Sequence, residues 1–264
     1  MKAPFFHVDA FTAAAFAGNP AAVVLLEGSW LPDATLQRMA AEHNLSETAF
    51  VLRDRARCEI RWFTPTTEVD LCGHATLAAA HALLRHAGHP GPRVRFASAS
   101  GPLAVDLADD LLVLDFPSRP GEPGPVPEDL ARALGRRPRE ARKARDYLAV
   151  FRDEDEVRSL APDMSAIAAL PCEGVICTAP APVGAPYAFV SRMFAPQCGI
   201  PEDPVCGSAH CTLVPYWAAR LGTRKLVARQ VSARGGELWC EDAGDRVKIG
   251  GRAVTYLRGE VEVP

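Results

Sequence analysis

One short stretch of this chain is written twice at a fixed distance. Cys72-Gly73-His74-Ala75 returns as Cys206-Gly207-Ser208-Ala209, and Ser98-Ala99-Ser100-Gly101 returns as Ser232-Ala233-Arg234-Gly235. Both echoes are offset by 134 positions in a chain of 264 residues. Each Cys-Gly pair also follows an aspartate, Asp70 or Asp203, with a Phe-x-Pro upstream at Phe63/Pro65 or Phe194/Pro196. The doubling predicts two pseudo-symmetric halves, each with a polar turn feeding a helix, and a site at their seam. Such a seam suits chemistry that moves a proton between two positions of one substrate. The plainer alternative is an old duplication whose glycines only make turns.

Apolar residues make up 48% of the chain, enough for one large core or two smaller ones. A net charge of −3 gives no basic footprint for nucleic acid or an anionic membrane. The N-terminus lacks the apolar core of a secretory signal, and no apolar run approaches the ~20 residues that span a bilayer. Eight cysteines without zinc-type spacing are expected to be reduced thiols in a cytosolic protein. His81 and His86 read as faces of a helix, and no histidine grouping resembles a metal cage.

Along the chain, strands are expected at 5–9, 21–26, 48–52 and 59–63, with a helix opening at Pro32-Asp33. A helix over about 75–87, stopped by Gly88, is apolar nearly all round and should be buried. Three strands follow, near 94–97, 103–107 and 111–116. Five prolines and two glycines between Pro117 and Pro127 have linker composition. The expected domains are therefore residues 1–117 and 128–264, joined by 118–127. The second half repeats the plan, with a buried helix over about 209–221 and Pro215 expected to kink it or displace its start.

The glycine of Cys72-Gly73-His74 turns the backbone into a helix whose free amides, aided by the dipole, can hold a carboxylate or enolate. Ser208 stands at the equivalent helix start, and both motifs also read as simple caps. Cys72 and Cys206 occupy one place in the two copies. A thiol at a helix N-terminus is expected to have a lowered pKa, and a facing pair suits a racemase that takes an α-proton on one side and returns it on the other. Buried free cysteine is equally common. Glu47, between a helix end and a strand, reads by itself as a solvated loop residue, and the Gly18-Asn19-Pro20 turn is a weaker signal still.

Taken together these segments resemble the PhzF family of phenazine-biosynthesis isomerases. The resemblance rests on Asp9-Ala10-Phe11 and Phe16-Ala17-Gly18-Asn19-Pro20, Asn44-Leu45-Ser46-Glu47-Thr48-Ala49-Phe50, and Phe63-Thr64-Pro65 with Glu68. It continues through Cys72-Gly73-His74-Ala75-Thr76, Asp146-Tyr147-Leu148, Gly174-Val175-Ile176, and Glu202-Asp203-Pro204 with Gly207-Ser208-Ala209. The matches run in order over nearly the whole chain. They imply an α+β fold of the diaminopimelate epimerase type: two lobes, each a curled, mostly antiparallel sheet around a central helix. They also imply no metal, no organic cofactor and a homodimer acting on a small molecule.

By the same resemblance Glu47 is the general acid/base, poised near neutral pH if burial raises its pKa. His74, Asp203 and Ser208 orient the substrate, with Asn19, Gly73 and Gly207 as further binding positions. The phenazine enzyme has no cysteines at the positions of Cys72 and Cys206, although many members have one or both. The chain thus carries two candidate proton-moving sets. The leading expectation is a cofactor-independent proton-transfer isomerase using Glu47. The alternatives are a Cys72/Cys206 racemase and a non-catalytic binding protein.

Overall fold

The computed structural model describes residues 2–54 and 57–263. In chain order the first elements are β1 (Lys2–Ala10), β2 (Asn19–Glu27), α1 (Asp33–His43), β3 (Glu47–Asp54), β4 (Arg57–Phe63), β5 (Glu68–Val69), α2 (Gly73–His86), β6 (Arg93–Ala97), β7 (Leu103–Ala108) and β8 (Leu111–Pro117). Next come β9 (Glu122–Gly124), α3 (Glu128–Leu134), β10 (Glu140–Lys143), β11 (Tyr147–Val150), α4 (Glu154–Arg158), α5 (Met164–Ala168), β12 (Val175–Pro180), β13 (Phe189–Ala195) and β14 (Ile200–Asp203). The chain ends with α6 (Gly207–Leu221), β15 (Lys225–Gln230), β16 (Gly236–Asp242), β17 (Arg246–Gly251) and β18 (Ala253–Glu262). It divides into two compact units, Met1–Asp115 with Gly250–Pro264, and Phe116–Ile249. Among the described residues no helix is long and apolar enough to cross a membrane.

In the first unit β1 lies antiparallel to both β18 and β2, with a bulge against β18 at His7/Val8. Because α1 carries the chain across, β3 returns parallel to β2, and β4 lies antiparallel on β3. Helix α2 packs against β1, β2, β3, β6, β7 and β18. From His74 to Leu83 only His81 escapes burial, which alanine's small side chain allows by letting strands approach closely. The helix begins at Gly73, two residues ahead of the expected start, because the Cys72 carbonyl already accepts the Thr76 amide at 3.1 Å.

The second unit is again mostly antiparallel: β9–β10, β10–β11, β12–β13 and β15–β16, with parallel pairs β11–β12 and β13–β15. Helix α6 packs on β15 and β16, and Trp217 stacks on Phe189 at 5.5 Å while donating to Thr178 Oγ1 at 3.0 Å. Leu130, Leu134, Val157 and Ile167 of the three shorter helices close over Phe151, Val175 and Phe194. The proline-rich stretch holds a strand of its own, β9, paired with β10. Pro215 neither breaks α6 nor displaces its start. A proline there leaves the Cys211 carbonyl without its helical donor, and the Arg119 amide donates to it instead at 2.9 Å. Each unit is therefore an α+β layer of mostly antiparallel strands around one buried helix that opens at the repeated motif.

Candidate active site

The repeated blocks meet in space within each unit. Cys72 and Cys206 are the N-cap residues of α2 and α6, both in extended conformation. Each Cys carbonyl is capped from one turn on, by Thr76 Oγ1 at 2.5 Å and by His210 Nδ1 at 2.8 Å, two residues that are themselves 134 apart. The serine blocks tie back to the segment entering each helix: Ser100 Oγ donates to the Asp70 carbonyl at 2.8 Å, and Ser232 Oγ to the Pro204 carbonyl at 2.7 Å. Each serine block braces the helix entry of its own unit, a similar device built from different serines, since Ser232 is the counterpart of Ser98 and Arg234 that of Ser100.

In the first unit this device gathers Asn19, Glu47, Cys72 and His74. Asn19 opens β2 after a loop held by Asp9, whose Oδ2 accepts the Phe16 amide at 2.9 Å. Glu47 is the first residue of β3 and buried rather than a solvated loop residue, and Ala21 opposite it pairs β3 with β2. Glu47 Oε2 lies 3.2 Å from His74 Nε2, offset from hydrogen-bond alignment. On the other side of the ring Nδ1 meets Asn19 Nδ2 at 3.1 Å and Cys72 Sγ at 3.5 Å.

Burial holds the His74 pKa down to about 3, so the imidazole is neutral at physiological pH. The Asn19 amide nitrogen has only protons to offer, which makes Nδ1 the acceptor and leaves the ring proton on Nε2, facing Glu47. A carboxylate oxygen, a thiol sulfur and an imidazole nitrogen of Glu47, Cys72 and His74 fall within 4.8 Å of one another, a donor set that suits one divalent ion. Asn19, which already engages Nδ1 of the ring, competes with such an ion for that nitrogen.

In the second unit Asp203, Cys206, Gly207 and Ser208 gather at the start of α6. Asp203 Oδ1 accepts the Val205 amide at 3.2 Å. The fully buried Gln230 clamps this turn, accepting the Cys206 amide at 2.9 Å and donating to the Asp203 carbonyl at 2.6 Å. Ser208 Oγ lies 3.2 Å from Cys206 Sγ and accepts from Arg145 Nη2 at 3.1 Å. Burial, followed by the Asp203 charge, pushes the Cys206 thiol well above its ordinary range. This reverses the expected lowering, because desolvation outweighs the helix terminus. Sequence reasoning missed Gln230 and Arg145. Asp146, next to Arg145, was marked only by the Asp146-Tyr147-Leu148 segment of the family resemblance.

The family described as phenazine biosynthesis-like protein, PhzC-PhzF, matches residues 8–259. The chain is 51% identical over 265 residues to the "Uncharacterized isomerase PA3578" of Pseudomonas aeruginosa, covering 100% of both. It is 38% identical to the human phenazine biosynthesis-like domain-containing protein, covering 98% of this chain and 99% of the relative. A crystal structure of a PhzF-family phenazine biosynthesis protein from Enterococcus faecalis superposes with a TM-score of 0.95 at 47% identity, over 99% of this chain and 100% of that one. A hydroxyproline epimerase from Agrobacterium vitis, at 14% identity and a TM-score of 0.61, shares the fold alone. With matches that run from the opening strand through the last one, the chain belongs to the phenazine biosynthesis-like PhzC-PhzF family.

Proposed function

We propose that this protein is an isomerase that relocates a proton on a small carboxylate- or amine-bearing substrate, with Glu47 as the general acid/base and no cofactor in the step. The observation that carries the reading is the buried 3.2 Å contact between Glu47 Oε2 and a neutral His74. An imidazole whose pKa is held near 3 is a poor proton acceptor at neutral pH, so the proton-carrying role falls to Glu47. The carboxylate takes a proton from a substrate carbon, and the electron pair left behind spreads into the substrate's π system. Glu47, now a carboxylic acid, returns the proton to a second carbon, and no net charge or electron is transferred to the protein. The neutral His74 ring lies against the carboxylate and packs it in place. The amide of Gly73, at the start of α2 in the same unit, favours the substrate's developing negative charge. The family membership and the isomerase names of bacterial relatives support the reaction class.

The second reading, a two-thiol racemase, is favoured by the equivalent N-cap placement of Cys72 and Cys206. The upward push on the Cys206 thiol weighs against it, since a thiolate base is then harder to form. Proton NMR in D₂O separates the two, using a dihydro-hydroxyanthranilate and a panel of L-amino acids in separate samples. The expected result is rearrangement of the cyclic diene with deuterium uptake, reduced about 10²–10⁴-fold in Glu47→Gln and retained in Cys72→Ser and Cys206→Ser. Loss of an amino-acid α-proton signal that survives in Glu47→Gln but not in either serine variant would establish the racemase instead.

A further inference from the structure

Tyr216 and Arg220 have no role in the reading above, yet with Arg142 they line a cavity of about 450 Å³ that belongs wholly to the second unit. The cavity lies along the C-terminal half of α6, between that helix, the start of the proline-rich stretch at Pro120 and the side chain of Arg142 on β10. Pro215, where it begins, stands about two turns beyond Gly207, roughly 12 Å along the helix axis. Its size falls within the roughly 300–1,000 Å³ of small-molecule sites.

The charges in its wall do not balance. Glu140 Oε1 accepts from Arg142 Nε at 2.7 Å, while Oε2 accepts from the Tyr216 hydroxyl at 3.0 Å and from Arg220 Nη1 at 3.2 Å. Arg220 Nη1 also donates to the Tyr216 hydroxyl oxygen at 2.6 Å, and Arg142 Nη1 donates to the Gly121 carbonyl at 3.4 Å. Burial, followed by the bond to Glu140, pushes the phenol up to about 12, so Tyr216 is uncharged at neutral pH. Two guanidinium groups thus share one carboxylate, and one positive charge is left over. A salt bridge that only fastened α6 to β10 would need a single arginine.

The surplus charge is presented in a fixed way. Both guanidinium groups lie over the Tyr216 ring, Arg142 at 5.1 Å and Arg220 at 5.7 Å from its centroid. Nη2 of each donates to none of the described residues. The side chains are 31% and 54% exposed, so these edges are open to a ligand. The remaining wall is apolar, with Pro120 and Ala219 exposed and Pro215 half-buried.

We propose that this cavity binds a small aromatic acid of single negative charge, its carboxylate on the Nη2 edges of Arg142 and Arg220 and its ring against Pro120, Pro215 and Ala219. One surplus positive charge matches one carboxylate, and the apolar wall matches a planar hydrocarbon body. A guanidinium fork also favours carboxylate over carboxamide, where a lysine supplies only a point charge. Glu47 and His74 belong to the other unit, and the proposal stands without the isomerase reading.

The test is a ¹H–¹⁵N NMR titration at low salt with benzoate, benzamide and acetate, which separate the charge from the ring. Benzoate is expected to bind most tightly of the three and to shift the Tyr216, Ala219 and Arg220 amides and the Arg142 Nε–H. Arg220→Gln is expected to raise the benzoate Kd by about tenfold and leave benzamide unchanged. Ala219→Trp, at an exposed helix position, is expected to fill the cavity and abolish the shifts. Circular dichroism checks the fold of both variants, and either one alone reads the site. Benzoate binding no tighter than benzamide or acetate, shifts that miss these residues, or a benzoate Kd unchanged in the folded variants would overturn the assignment. Binding is read without turnover, so its failure leaves Glu47 to its own assay.

Discussion

At the scale of single residues, the position of one proton decides what the first-unit cluster does. His74 is neutral because burial disfavours the imidazolium, and its tautomer is set by Asn19, which presents an N–H to Nδ1. Asn19→Leu removes that donor at nearly constant volume and should lower kcat about 10–100-fold with little change in KM. Asn19→Asp should be worse than Asn19→Leu, because a carboxylate opposite Nδ1 draws the ring proton to that side and turns an acceptor toward Glu47. Comparing kcat and KM for the two variants, with circular dichroism to confirm folding, checks the order. The residues of this cluster were nameable from sequence through their family pattern, but the tautomer was not. It depends on a 3.1 Å approach between residues 55 positions apart.

At the scale of elements, the chain places its site residues through tight entries into strands and helices. The loop from β1 to β2 depends on Gly18, which adopts φ of +65°. A Cβ there would run into the Ala10 carbonyl oxygen and the Thr12 side chain. Gly18→Ala should therefore destabilise the fold by about 2–4 kcal/mol, read as a lower urea midpoint with unchanged m-value. Most long elements were legible because their signals are local, as with α2 from its apolar run and α1 from Pro32-Asp33. The short strands β5, β9, β10 and β14 and helices α4 and α5 carry too few residues for periodicity to mark them. Pro215 shows the converse case, in which a strong local rule is offset by a distant donor at Arg119.

At the scale of the whole molecule, each unit keeps a buried neutral histidine in its central helix. Burial lowers His74 to about 3 and His210 to about 4, both below the ordinary value of 6.5. The unfolded chain binds these protons near pH 6.5, whereas the folded chain does not until its own lower pKa is reached. Stability is therefore fully present above about pH 6.5 and falls with acidification toward pH 4, by about 1.4 kcal/mol per pH unit from each histidine. Urea unfolding at pH 7, 6 and 5 should show a steady loss, and a flat profile would mean that these imidazoles are protonated in the fold. The amino-acid sequence by itself determined the doubled plan, the two buried helices and the family, because turn chemistry, apolar periodicity and motif order are written in neighbouring residues. Only the tertiary structure decided that Glu47 is buried against His74, that Cys206 is pushed up rather than down, and that Arg145 reaches Ser208. Desolvation and charge pairing belong to the space around a side chain, and that space is assembled from residues far apart in the chain.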